Sequence, residues 1–219
     1  MHTTVKNLLD IENNIKVYLN KLNINSYPKI IAVSKTFKID KILPLIEYGQ
    51  VNFGENKVQE ALEKWSNIKN EFNNVKLHML GKLQTNKVKF ALSIFDFIHS
   101  LDNEKLAQKI ASEQKKYEKK PKIFIQVNIG DEPQKSGIQK DKLKDFFLFC
   151  KEIDLDIHGL MCIPPVDSNP IPFFKKMNLL NETLNLSQLS MGMSADYIEA
   201  AKNSSTFVRI GSKIFGDRV

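Results

Sequence analysis

Eight short apolar runs alternate with segments of helical periodicity along the 219-residue chain. They predict an α/β protein folded as a single (β/α)8 TIM-type barrel with an extra N-terminal helix. Three observations carry that expectation. Parallel strands need crossovers, and a helix between successive runs supplies them. Eight units of about 25 residues use up the chain length. The first run is apolar without alternation, the mark of a strand covered by helices on both faces. A doubly wound open sheet would show a similar alternation; eight repeats favour closure.

The elements follow in order. Residues 3–22 place Val5, Leu8, Ile15, Leu19 and Leu22 at mostly helical spacing, an amphipathic helix. Strands are expected at 30–35, 51–54, 76–81, 94–101, 122–129, 155–163, 188–193 and 206–210. Among the connecting segments, Asn103 to Tyr117 sets Leu106, Ala107, Ile110 and Ala111 against a charged face, and Lys140 to Ile153 repeats the pattern with Leu143, Phe146, Phe147 and Cys150. Arg218-Val219 ends the sequence directly after the eighth run, so the first helix is expected to cover the flank where a closing helix would pack. Residues 1–219 read as one domain, since the chain can bury one sizeable core and nothing demands two.

Composition narrows the function classes. The formal charge is +7, but the chain holds 32 Lys plus Arg that mostly alternate with 25 acids, and its 20 Asn suggest compositional bias. No nucleic-acid site is expected. The segment Met1–Asn7 lacks the apolar stretch of a secretion signal, and no run approaches a membrane span, so a cytoplasmic protein without a membrane partner is expected. Cys150 and Cys162 are too far apart for a Cys-x-x-Cys pair and read as core thiols; the four His show no zinc-like spacing.

Lys35 closes the run Ile30-Ile31-Ala32-Val33-Ser34-Lys35, which places an amine where a buried strand emerges. Ligands collect at the carboxyl ends of such strands, and a desolvated lysine there becomes a nucleophile toward a carbonyl. Two C-terminal stretches, Leu189 to Asp196 and Thr206 to Ser212, end strands with Gly and Ser. Ser194 is expected to cap the following helix, and Gly211-Ser212 to form a second turn whose amides approach a phosphate; an ordinary capped helix and turn would look the same. Arg209 lies inside an apolar strand and needs a partner, either a structural carboxylate or a ligand acceptor. Glu55-Asn56 and His78 fall near expected strand ends, each read singly as a satisfied structural polar group, and His158 reads as a core histidine.

AVSKT at 32–36, FGEN at 53–56, LGKLQTNK at 80–87, HGLM at 158–161, LSMGMSADY at 189–197 and VRIGSKIFG at 208–216 stand in an order that resembles the pyridoxal 5′-phosphate homeostasis proteins. These in turn resemble the N-terminal barrel of alanine racemase. The resemblance runs from about residue 30 to the end. It implies that Lys35 carries pyridoxal 5′-phosphate (PLP) as an internal aldimine and that Arg209 faces the pyridine nitrogen. It further implies that Ser194, Gly211 and Ser212 hold the phosphate, with Asn56 beside the ring. Lys82, where a proline is common, and Asn203, where a glycine is usual, depart from the family pattern.

An arginine cannot keep the ring nitrogen protonated as a carboxylate would, which blunts the electron sink. Racemases of this type add a second catalytic residue from a further β domain, and the sequence shows none. The expectation is therefore a monomeric PLP carrier or buffer in vitamin B6 homeostasis, not an enzyme, with apo forms of PLP-dependent enzymes as candidate recipients. The alternative is a PLP-dependent amino-acid racemase-like enzyme.

Overall fold

In the computed structural model, residues 1–118 and 120–217 are described, and eight parallel strands close into a barrel in sequence order. The strands are β1 (Lys29–Val33), β2 (Asn52–Glu55), β3 (Lys76–Met79), β4 (Phe97–Leu101), β5 (Lys122–Val127), β6 (Ile157–Cys162), β7 (Gln188–Met193) and β8 (Phe207–Ile210). Closure is made by β1 and β8, with Ile31 opposite Arg209 and Ala32 opposite Ile210. The open-sheet alternative is thereby excluded. The helices are α1 (Thr3–Asn20), α2 (Ile39–Tyr48), α3 (Val58–Glu71), α4 (Val88–Ile94), α5 (Glu104–Gln114), α6 (Leu143–Glu152), α7 (Ile171–Thr183), α8 (Tyr197–Lys202) and α9 (Ser212–Phe215). Arg218 and Val219, on which the expected end of the domain falls, lie outside the described residues.

α1 buries Val5, Leu8, Ile11, Ile15 and Leu19, the one-face spacing of the sequence. It packs against α2, α8 and α9, and the Asn7 side-chain amide donates to the Ile214 carbonyl at 3.0 Å. The N-terminal helix thus covers the β8–β1 flank, where the short α9 leaves room. No described helix is long and apolar enough to cross a membrane.

Two cores form because each strand is buried on both faces. The larger lies between sheet and helices and includes Leu8, Trp65, Phe174 and Ile214. The smaller fills the barrel with Ile31, Phe124, Met161 and Phe207, against which Leu80, Phe97 and Ile163 pack. His78, one residue from the end of β3, is a satisfied polar group of this interior: its ring stacks on Phe97 at 4.1 Å, and its Nδ1 lies 2.9 Å from His99 Nε2. Burial pushes His78 down to about 3 and His99 well below the usual imidazole range, so both rings are neutral at pH 7.

His158 departs from expectation differently. It is half-buried rather than core, and its Nε2 lies 2.9 Å from the Asp156 carboxylate. Cys150 and Cys162 are free core thiols as expected, and burial pushes each up to about 12. Strands are shorter than their apolar runs. β1 ends at Val33, so Lys35 sits two residues beyond the strand in a turn. Residues 94–96, read as strand, instead end α4 and enter β4.

Candidate functional site

At the carboxyl ends of the strands lies a cavity of about 580 Å³. Lys35, Asn56, Ser194, Arg209, Gly211 and Ser212 all line it. Apolar side chains complete the wall: Val33, Phe37, Leu80, Met161, Ile163 and Met193. Strand alternation explains part of this set, because Met161 shares the inner face of β6 with Gly159 and leads on to Ile163.

Arg209 forms the polar floor. It is buried in the middle of the β8–β1 seam, donating from Nη1 to the Ser190 hydroxyl and from Nη2 to the Cys162 carbonyl, both at 2.8 Å. Neither acceptor is a carboxylate, so among the described residues the positive charge has no compensating partner at contact distance. Burial pulls the guanidinium below its usual value, yet an arginine stays protonated, and three of its five N–H donors remain for other acceptors.

Two turns supply the backbone at one side of the cavity. After β7, Ser194 and Ala195 enter a tight turn, and the capping residue of α8 is Asp196 rather than Ser194 as expected. Asp196 reaches backward, its Oδ1 accepting from the Met193 N–H at 2.6 Å, because a six-residue helix entered through a turn leaves its first carboxylate closest to the strand end. After β8, Gly211 precedes Ser212, the first residue of α9. The backbone N–H groups of Ser194, Ala195 and Gly211 donate no hydrogen bond among the described residues, while Ser212 opens a helix and has no intrahelical acceptor. Phe37 stacks on Phe215 at 4.9 Å, tying the Lys35 turn to the Gly211 side of the mouth.

Lys35 is half-buried in a turn that includes Thr36 at φ 68°. A non-glycine residue there is strained, and a three-residue network behind the turn holds it. Glu60 Oε1 accepts from the Thr36 N–H at 2.6 Å, and Lys64 bridges the Ser34 carbonyl (2.9 Å), Glu55 Oε1 and Glu60 Oε1 (both 3.0 Å). The fully buried Glu55 also accepts from the Ser34 hydroxyl at 2.7 Å and Trp65 Nε1 at 3.0 Å. Burial raises Glu55 despite Lys64 and these donors. Glu55 is thus a satisfied structural polar group on one oxygen, whereas its neighbour Asn56 turns to the cavity.

For Glu60, burial pushes the carboxyl up, but the Thr36 N–H and Lys64 outweigh it and hold it below the usual range. A depressed acid stabilises above its unfolded pKa and loses that contribution as pH falls through its folded value. Acidification below pH 4.5 is therefore expected to loosen the Lys35 turn. Hydrogen exchange should show protection of the Thr36 amide falling by roughly tenfold or less, since the carboxylate is partly exposed. Glu60→Ala should remove the pH dependence.

Sequence reasoning missed this network. Glu60 and Lys64 are four apart on α3, a spacing that ordinarily reads as a solvated surface pair. Gly81 carries a clearer signal. A Cβ there would stand 2.2 Å from the Asn56 carbonyl oxygen and 2.8 Å from Asn56 Cα, backbone atoms that cannot step aside cheaply. Gly81→Ala is expected to cost about 1–3 kcal/mol by overpacking, at about 2–4 °C of Tm per kcal/mol in a calorimetric scan. Of the family departures, Lys82 is exposed and outside the cavity lining, and Asn203 ends α8 with its side chain donating to the Glu199 carbonyl at 2.8 Å. No group of His, Cys, Asp and Glu that could hold a metal ion occurs among the described residues.

The alanine racemase N-terminal domain family matches residues 7–219. The pyridoxal phosphate homeostasis protein of Aquifex aeolicus is 37% identical over 200 residues, covering 87% of each chain. That of Haemophilus influenzae is 39% identical over 202 residues, covering 87% of this chain and 85% of the relative. The structure of PipY from Synechococcus elongatus with PLP bound superposes with a TM-score of 0.81 at 31% identity, covering 92% of this chain and 100% of that one. Alanine racemase of Clostridium difficile shares the fold at a TM-score of 0.72 and 14% identity, across 99% of this chain but 57% of its own. Identity at this level over nearly the whole of both chains, on the same closed barrel, makes the chain a member of the alanine racemase N-terminal domain family and, within it, of the pyridoxal phosphate homeostasis proteins.

Proposed function

We propose that the chain, residues 1–219 acting as one domain, binds PLP covalently through Lys35 and serves as a carrier or buffer of the cofactor, with little or no catalysis. The observation that carries this is convergence. One cavity gathers an amine, a buried guanidinium with donors to spare, and several backbone N–H groups without an acceptor among the described residues, a donor set that suits a phosphorylated aldehyde with a ring nitrogen. When bound, PLP supplies an electrophilic carbonyl carbon and an electron-accepting ring.

Lys35 offers its amine to that carbon from a turn held rigid by Glu60 and Lys64. Ser194, Gly211 and Ser212 would give the phosphate its N–H and hydroxyl donors, and Asn56 would hold the ring from the β2 side. Arg209 presents N–H donors to the ring nitrogen without a proton to give up, which supports holding the cofactor over stabilising a carbanion. A covalently held aldehyde is also kept from other amines. The same reading has the protein working as a cytoplasmic monomer that passes PLP to apo enzymes, and finds no role for nucleic acid or membrane.

Absorbance spectroscopy tests it. The protein reconstituted with PLP should be yellow, borohydride should fix the cofactor on the peptide containing Lys35, and mixing with an apo PLP-dependent enzyme should move cofactor to it. A colourless wild type in excess PLP would sink the proposal. Chiral chromatography after incubation with L-alanine and other L-amino acids decides against the racemase-like alternative if no substantial D-isomer forms.

A further inference from the structure

The barrel has a second cavity at its opposite, N-terminal end, of about 530 Å³, and its chemistry differs from that of the Lys35 mouth. Among the described residues, four lysines line it, Lys29, Lys76, Lys120 and Lys122, with one carboxylate, Asp96. Three of the lysines open strands: Lys29 begins β1, Lys76 begins β3 and Lys122 begins β5. Strand alternation puts Lys29 on the same face as Ile31, Lys76 on that of His78 and Lys122 on that of Phe124, all residues of the barrel interior. These amines therefore ring the barrel axis. Their contacts agree, since Lys29 Nζ lies 5.9 Å from the Phe207 ring centre and Lys122 Nζ 5.7 Å from that of Phe97.

The single carboxylate does not balance this charge. Asp96 Oδ2 is held by Lys69 at 2.7 Å, from outside the cavity, and accepts from the Leu77 N–H at 2.9 Å; Lys76 approaches Oδ1 only to 3.8 Å. Lys120 is 3.8 Å from Asp154. Lys29 and Lys122 have no carboxylate within ion-pair distance among the described residues. Asn52 adds neutral donors. Its Oδ1 is taken by His78 Nε2 at 3.0 Å, which leaves its Nδ2 hydrogens without a partner among the described residues on the cavity wall. Lys29, Lys120 and Lys122 are exposed and Lys76 is half-buried, and like charges gathered around one concavity focus a positive potential that an anion relieves.

We propose that this end of the barrel binds a small phosphate compound carrying at least two negative charges, bridged by Lys29 and Lys122 and touched by Lys76 and Asn52. Ammonium groups act as mobile point donors that suit phosphate oxygens, and one monoanion could not satisfy amines on opposite sides of the axis. The site is independent of PLP binding at Lys35, which uses the other end.

Residue-resolved NMR tests it on the PLP-loaded protein at fixed ionic strength, with inorganic pyrophosphate in one arm and a nucleoside diphosphate in the other. Saturable amide shifts are expected at Lys29, Asn52, Lys76 and Lys122. The double variant Lys29→Gln/Lys122→Gln should weaken binding by about tenfold or more. The single variants Lys29→Gln and Lys122→Gln serve if the double variant does not fold. Tighter binding of the diphosphate nucleoside than of pyrophosphate would assign the ligand to the nucleotide source, and equal binding to the phosphate alone. Shifts confined to Ser194 and Gly211, shifts that chloride reproduces, or unweakened binding in the variants would overturn the proposal. Because the readout is local to each end, a protein that fails to take up PLP still reports on this one.

Discussion

Lys35→Ala is expected to abolish covalent cofactor attachment completely: the reconstituted protein should be colourless, and borohydride should add no mass. Lys35 is the only amine among the described residues lining the 580 Å³ cavity. No neighbouring lysine stands ready to replace it. Lys64 is tied to the Ser34 carbonyl and to two carboxylates behind the turn. Non-covalent binding through the Gly211 and Ser194 turns should persist, so dialysis should strip PLP from the variant and not from the wild type. Stability should change little, since the lysine is half-buried at the edge of the cavity. Mass spectrometry of the reduced protein checks the outcome, and cofactor found on another lysine would contradict it.

Arg209→Met should separate affinity from covalent capacity. The substitution keeps an unbranched apolar stem but removes the guanidinium from the cavity floor. Losing one hydrogen bond from a charged donor is worth about 1.5–3 kcal/mol, so the affinity for PLP should fall by about tenfold to a hundredfold while Lys35 can still be trapped by borohydride. The fold responds through two opposing effects. The Ser190 hydroxyl and Cys162 carbonyl lose their donor, at about 1–3 kcal/mol for each buried group left unsatisfied. Removing a buried, unpaired charge works the other way. A titration followed by absorbance, beside a denaturation curve, measures both. Unchanged affinity would remove Arg209 from the proposed site.

Much of the barrel was legible because its signals are local. Eight apolar runs and their spacing follow from covering a parallel sheet with helices, and the amphipathic face of α1 follows from its i, i+3, i+4 pattern. Strand ends were less legible. The run Ile30 to Lys35 looked continuous, yet pairing stops at Val33 because Ser34 to Thr36 must turn, and only the Glu60 carboxylate explains how Thr36 holds φ 68° there. Ser194 looked like a cap by residue type. Asp196 holds that place because the turn after β7 is two residues longer than the pattern suggested.

The sequence by itself determined which residue types could serve: a lysine after an apolar strand, an arginine within one, and small residues where backbone must come close. Those are properties of single segments. Tertiary structure decided that Lys35, Asn56, Ser194, Arg209, Gly211 and Ser212, spread over most of the chain, face one cavity. It also decided that Arg209 would find a hydroxyl and a carbonyl rather than a carboxylate, and that lysines 29, 76 and 122 would gather at the other end. The reason is closure. Joining β8 to β1 gives alternate side chains of every strand a common axis, and which groups meet along it depends on the register between strands, which no segment carries alone.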